Sequence, residues 1–151
     1  MILALRSRSL FFSFAALSRY VISMRTQELE PGPWEQSNVD LGASMLAAVP
    51  PPLFGALVFG ETTVTFFDSR GAHRAATVPR MRAEALCRID DDGSRWLLGD
   101  ASGALHIVLL EHESGRVRQV HVEPLGDAAV ASALACVVVV VFFARLSRMR
   151  R

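Results

Sequence analysis

Cysteine is nearly absent from this chain, with two in 151 residues, Cys87 and Cys136, far apart and without a CxxC pair. Disulfide frameworks and structural zinc sites need more sulfur in tighter spacing, so both are disfavoured and a reducing compartment fits. An excess of either charge is missing too. Lys+Arg is 16 against Asp+Glu 15, a net charge of +1, which gives no bulk footprint for nucleic acid or a membrane surface. Aromatic residues make up 8% of the chain and are not interleaved with a basic patch, which leaves stacking on bases without support. The phosphate cradle G-x-x-x-x-G-K and the nucleophile turn G-x-S-x-G are both missing, and with them two common routes to an enzyme.

What is present is a rhythm of short apolar runs cut by turn residues. The clearest stretch is Ile89–Glu113. An acidic turn, Asp90-Asp91-Asp92-Gly93-Ser94, leads into Trp96-Leu97-Leu98, and a second turn, Gly99-Asp100-Ala101-Ser102-Gly103, leads into Leu105–Leu110. Gly and Asp tolerate the positive φ of tight turns, so such runs read as hairpin strands rather than a helix. The same pattern precedes it: Ser44–Val49 ended by Pro50-Pro51-Pro52, then Gly55–Phe59, Thr62–Phe67, His73–Val78 and Glu84–Ile89. It also follows, in Val117–Glu123. The fold class expected is all-β, a sandwich, barrel or propeller.

An internal repeat selects the propeller. Leu57-Val58-Phe59-Gly60-Glu61 aligns with Trp96-Leu97-Leu98-Gly99-Asp100, and Val64–Phe67 with Leu105–Val108. Ser69-Arg70-Gly71 then falls against Ser114-Gly115-Arg116, and Ala76–Pro79 against His121–Pro124. A four-strand repeat of about 40–45 residues is the blade period of a propeller, although the WD dipeptide is absent.

The ends break the pattern. Met1–Met24 is apolar, Arg- and Ser-containing and acid-free. It has the composition of a secretory or transit leader and is expected to be disordered or helical, outside the fold. Thr26–Asp40 carries Pro31-Gly32-Pro33 and reads as a linker or a lead-in to a strand, since proline is excluded from helix and strand interiors. Ala128–Ala144 is seventeen uncharged residues followed by Arg145, Arg148, Arg150 and Arg151. It is either the start of a further blade, suited by its β-branched Val137–Phe143, or a short membrane span with arginines at one interface.

The candidate chemistry resolves to structure. Asp90, Asp91 and Asp92 lack the distal glutamate of a calcium loop and read as a hairpin turn. Glu111 and Glu113 share one strand face with His112 on the other, a solvated strand end rather than a metal site. His106 is a satisfied rim or core histidine, and His73 and His121 take solvent-facing positions. Ser44 and Ser102 have no acid–His partner placed to activate them. No catalytic, cofactor-binding or metal-binding residue is assigned, no cofactor is expected, and the chain is read as a non-enzyme.

Several stretches carry a family likeness: Gly32-Pro33-Trp34-Glu35-Gln36, Ala43-Ser44-Met45 through Pro50, Gly55–Gly60, Gly93-Ser94-Arg95-Trp96-Leu97-Leu98-Gly99-Asp100, Leu109-Leu110-Glu111 and Val122–Gly126. Through them Glu30–Asp127 resembles part of the first β-propeller of the UV-damaged DNA-binding large-subunit family. That superfamily includes the large subunits of cleavage/polyadenylation and splicing factors. The resemblance implies an incomplete β-propeller of about two and a half four-stranded blades with non-propeller ends. The division expected is a leader over 1–29, blades over 30–135, and an apolar run with a basic tail over 136–151. It implies an excerpt of a longer protein whose open sides leave strand edges that pair promiscuously.

In function it implies a protein-interaction scaffold in the nucleus, and also the cytoplasm. Such a scaffold adapts a cullin-type ubiquitin ligase to substrate receptors in DNA-damage repair and meets damaged DNA only indirectly. The alternative from the residues alone is a small membrane-anchored β protein held by residues 128–144.

Overall fold

The computed structural model describes residues 2–8, 14–40 and 42–128. Every regular element among them is a strand: β1 (Ile2–Arg8), β2 (Phe14–Ser23), β3 (Glu28–Val39), β4 (Met45–Val49), β5 (Gly55–Phe59), β6 (Thr63–Asp68), β7 (His73–Thr77), β8 (Ala83–Arg88), β9 (Arg95–Asp100), β10 (Ala104–Glu113) and β11 (Arg116–Asp127). They form three antiparallel sheets, β1-β2-β3, β4-β5-β6-β7 and β8-β9-β10-β11. The two four-stranded meanders are the repeat seen in the sequence. The aligned pairs fall on β5 with β9, β6 with β10 and β7 with β11. This is an incomplete propeller, as expected, with the sheet β1-β2-β3 preceding the two blades.

The burial pattern shows how the sheets stack. In β5 every residue is buried, so its run is continuously apolar instead of alternating, as for a strand covered on both faces. Leu57 and Phe59 point into a core shared with the second blade, where they meet Trp96, Leu98, Val108, Leu110 and Val120. Val58 points the other way and packs with Phe67 of β6, Leu17 of β2 and Val39 of β3. The first blade is therefore the middle layer. Cross-strand pairs build the face toward the second blade, Leu57 opposite Phe66 and Phe59 opposite Val64. The outer strand β7 has mostly exposed residues and pairs with β6.

Gly55 opens β5 where the chain comes close to β6. A Cβ there would overlap the Phe67 carbonyl oxygen and the Phe66 ring. Gly55→Ala is expected to cost about 1–3 kcal/mol by overpacking, read as a lowered melting temperature. An unchanged melt would contradict this close approach.

Several expectations change. The leader assigned to 1–29, expected to be disordered or helical, instead supplies β1 and β2, paired from Ile2↔Tyr20 to Arg8↔Phe14. Its residues 14–23 are β-branched and aromatic enough to form a strand, and Leu17 is fully buried against the first blade. The proline-bearing stretch 26–40 is mostly strand β3 rather than linker. It lies at the end of its sheet and pairs with β2 alone among the described residues, with a register shift between Ser18 and Tyr20. Proline is excluded from interior strands, and an edge strand can carry it.

The sequence spacing of the cysteines argued against a disulfide, yet Cys87 is disulfide-bonded. Separation along a chain sets no separation in space. The third-blade and membrane-span readings of 128–144 fall outside the described residues, apart from Ala128. No helix among the described residues is long and apolar enough to cross a membrane.

Candidate interaction surface

The turns of the two blades gather at two ends. At one end lie the connections β5–β6, β7–β8 and β9–β10; aspartates hold the first and the last, and the second is tied to the first by Val78 N donating to the Thr62 carbonyl at 2.8 Å and Met81 N to the Glu61 carbonyl at 2.9 Å. Asp40, between β3 and β4, accepts hydrogen bonds from Gly42 N at 2.9 Å, Thr62 N at 3.0 Å, Thr62 Oγ1 at 2.8 Å, Thr63 N at 3.1 Å and Thr63 Oγ1 at 3.1 Å. Partial burial alone would raise its pKa, but the donors outweigh it and hold the carboxyl at about 2. Asp100 does the same for the β9–β10 turn. It accepts from Ser102 N at 2.8 Å, Ser102 Oγ at 2.6 Å and Ala104 N at 2.9 Å. Burial again opposes these bonds and loses, and its pKa is lowered.

The residues singled out in the sequence take these places. Asp90 forms a forked pair with Arg95, including Nη2 to Oδ1 at 2.8 Å, and that partner is the main reason its pKa is lowered. Asp92 accepts from Ser94 N at 2.9 Å, and Gly93, at φ 72°, completes the turn. These carboxylates are turn acceptors, as read. Glu111 faces His121 at 3.1 Å and Glu113 faces Arg118 at 2.9 Å. His112 points to the opposite face, 3.8 Å from Asp92. His73 is exposed, its ring 5.7 Å from that of Phe67, and Ser44 lies exposed at the start of β4.

The β9–β10 turn brings Asp100 to Ser102, with His106 3.5 Å from Asp100. The connectivity is not that of an activated serine, because the hydroxyl donates to the carboxylate and no Ser102–His106 bond exists among the described residues. The trio fastens a turn. No group of three or more metal-ligating side chains converges among the described residues.

The opposite end holds a feature the sequence reading missed. Between the blades, the β4–β5 loop, the β6–β7 turn and the β10–β11 turn enclose a cleft of about 700 Å3 whose lining includes Phe54, Arg70, His73, Arg74, Arg116 and Arg118. Arg70 lies in the β6–β7 turn and Arg116 opens β11 beside the β10–β11 turn, the two turns that the repeat alignment superposes, while Arg74 and Arg118 lie on β7 and β11.

The sequence model of the RSE1/DDB1/CPSF1 first beta-propeller matches residues 15–146. The chain belongs to this family. The match begins ahead of the stretch that carried the sequence resemblance, and so takes in nearly all of β2. Among relatives, DNA damage-binding protein 1 of rice (Oryza sativa subsp. japonica) is 38% identical over 115 residues, 76% of this chain and 11% of its own. The tomato (Solanum lycopersicum) protein of the same name is 41% identical over 76% of this chain and 10% of its own. DNA damage-binding protein 1a of Arabidopsis thaliana is 38% identical with the same coverage. This first-propeller chain therefore spans about a tenth of the length of the curated relatives it matches.

Proposed function

We propose that this chain works by protein–protein contact, as a propeller piece of a nuclear DNA-damage-binding scaffold. The observation that carries the reading is the family match over residues 15–146, together with relatives named for binding DNA damage. In finer terms, the piece helps adapt a cullin-type ubiquitin ligase to substrate receptors, meets damaged DNA only through its partners, and catalyses nothing. The geometry is in keeping with this. The polar side chains that suggest catalysis are engaged in turns, and the accessible features among the described residues include loops, edges and a basic cleft. The blade assignment, 30–135, contains both four-stranded meanders. A nuclear place requires the fold to hold with the Cys87 disulfide reduced, since disulfides are rare in reducing compartments.

The test is expression of the tagged full chain in ultraviolet-irradiated cells. The expected outcome is nuclear signal and co-precipitation of cullin-type ligase components above an unrelated tagged β protein. Retention in the pellet after carbonate extraction would favour the membrane-anchored alternative, and co-precipitation at control level would refute the adaptor role.

A further inference from the structure

We infer that the inter-blade cleft is a docking site for an acidic, extended peptide segment of a protein partner. The inference stands independently of the adaptor reading, because it rests on the cleft alone.

All sixteen basic residues of this chain are arginine and none is lysine, and four of them line this one recess. Arg70 and Arg74 stand on the first blade, Arg116 and Arg118 on the second. Two are already oriented. Arg74 donates from Nε to the Arg118 carbonyl at 3.2 Å and from Nη1 to the His73 carbonyl at 2.8 Å, which links the blades across the cleft. Arg118 donates from Nη2 to Glu113 at 2.9 Å. The guanidiniums of Arg70 and Arg116 hydrogen-bond no carboxylate among the described residues. Each presents the planar fork that matches a carboxylate with two parallel bonds. The Arg118–Glu113 pair displays that chemistry at the rim.

A second observation lies at the mouth. Phe54 is 56% exposed and has φ 43°, a conformation that a bulky residue rarely adopts. The hydrogen bond from its amide to the Pro50 carbonyl, 3.1 Å, closes that turn. Its ring is thus an apolar platform held in water beside four cations. Backbone strain of this kind is concentrated where a surface is used.

Peptide is favoured over nucleic acid on three counts. The recess admits a few side chains, within the size of ordinary ligand sites, and not a duplex. Asp68 and Glu113 at its edges repel a continuous polyanion, whereas a peptide can place neutral residues beside them. The chain's near-neutral charge offers no extended phosphate track.

The experiment measures fluorescence anisotropy of a labelled peptide alternating glutamate with leucine, titrated with the full chain. The comparisons are the same peptide with glutamine for glutamate, and a single-stranded oligonucleotide as competitor. Arg70→Glu with Arg116→Glu is expected to weaken binding at least about tenfold, as is the glutamine peptide. Arg80→Gln, at the other end of the blades, leaves it unchanged. Both reversed arginines are exposed, and a circular dichroism spectrum matching the parent shows that the fold is kept. Equal binding of the glutamine peptide, insensitivity to the double reversal, or displacement by the oligonucleotide at lower concentration than the unlabelled peptide each overturns the proposal.

Discussion

Phe59→Ala removes the protease-resistant fold of this chain. Phe59 is fully buried and lies in the central strand of the middle layer, opposite Val64, in the core that joins the two blades. Deleting its ring costs about 3–5 kcal/mol, the transfer term plus the cavity left behind. A whole domain commonly has only about 5–15 kcal/mol of net stability, and two blades share one core here. Phe59→Leu, which keeps most of the volume, is expected to lose less than about 1.5 kcal/mol. Phe54→Ala, at the exposed mouth of the cleft, changes stability by less than about 0.5 kcal/mol. Protease pulses across a urea series read all three, and they tolerate association through open strand edges. Survival of Phe59→Ala to the same urea concentration as the parent would mean that the two sheets do not share this core.

The blades were legible because breakers and apolar runs alternate on the scale of a strand. Gly55–Phe59 was read with the bounds it has, and the expected His73–Val78 strand ends one residue earlier, at Thr77. The last two strands run longer than read. β10 continues to Glu113 and β11 passes Pro124 to Asp127, because the outermost strand of a blade needs hydrogen bonds on one side only and can carry a proline. The same physics hid β3, whose two prolines looked like a linker until an edge position accommodated them. The first sheet was hidden by composition: an acid-free stretch with Arg and Ser has the look of a leader whether or not a strand such as β2 buries Leu17.

At the site level, local chemistry was readable and spatial chemistry was not. The Asp90–Ser94 turn was legible because the side-chain hydrogen bonds that close it span no more than five residues. The arginine cleft was not, because its walls are distant in sequence and meet only when the blades pack. Asp40 was equally invisible, since all its donors but Gly42 belong to Thr62 and Thr63, more than twenty residues away where β6 begins.

Asp40 therefore yields the second large effect, one that depends on pH. Its carboxylate fastens the end of the first sheet to the β5–β6 turn through two backbone amides and two hydroxyls of Thr62 and Thr63, besides its own turn at Gly42. A Cβ at Gly60 would fall on that carboxyl, so the glycine leaves room for it. Asparagine keeps the shape but replaces one acceptor oxygen with a donor facing donors. Asp40→Asn is expected to cost about 2–3 kcal/mol at neutral pH, the effect of stranding partly buried amides. The folded-state pKa is depressed, from 3.8 to about 2, so the unfolded chain binds the proton more readily between those values. The ionised group's contribution is complete above about pH 4 and is lost as pH falls through 2. The full shift would correspond to at most about 2.5 kcal/mol, and solvent contact at this half-buried position reduces it to about 1 kcal/mol. Parent and Asp40→Asn unfolding curves are thus expected to converge by about that amount between pH 7 and pH 2. Asp90, Asp92 and Asp100, all with lowered pKa values, add acid sensitivity common to both proteins. A gap that stays constant, or widens toward low pH, would show that the Asp40 charge does not hold the turn.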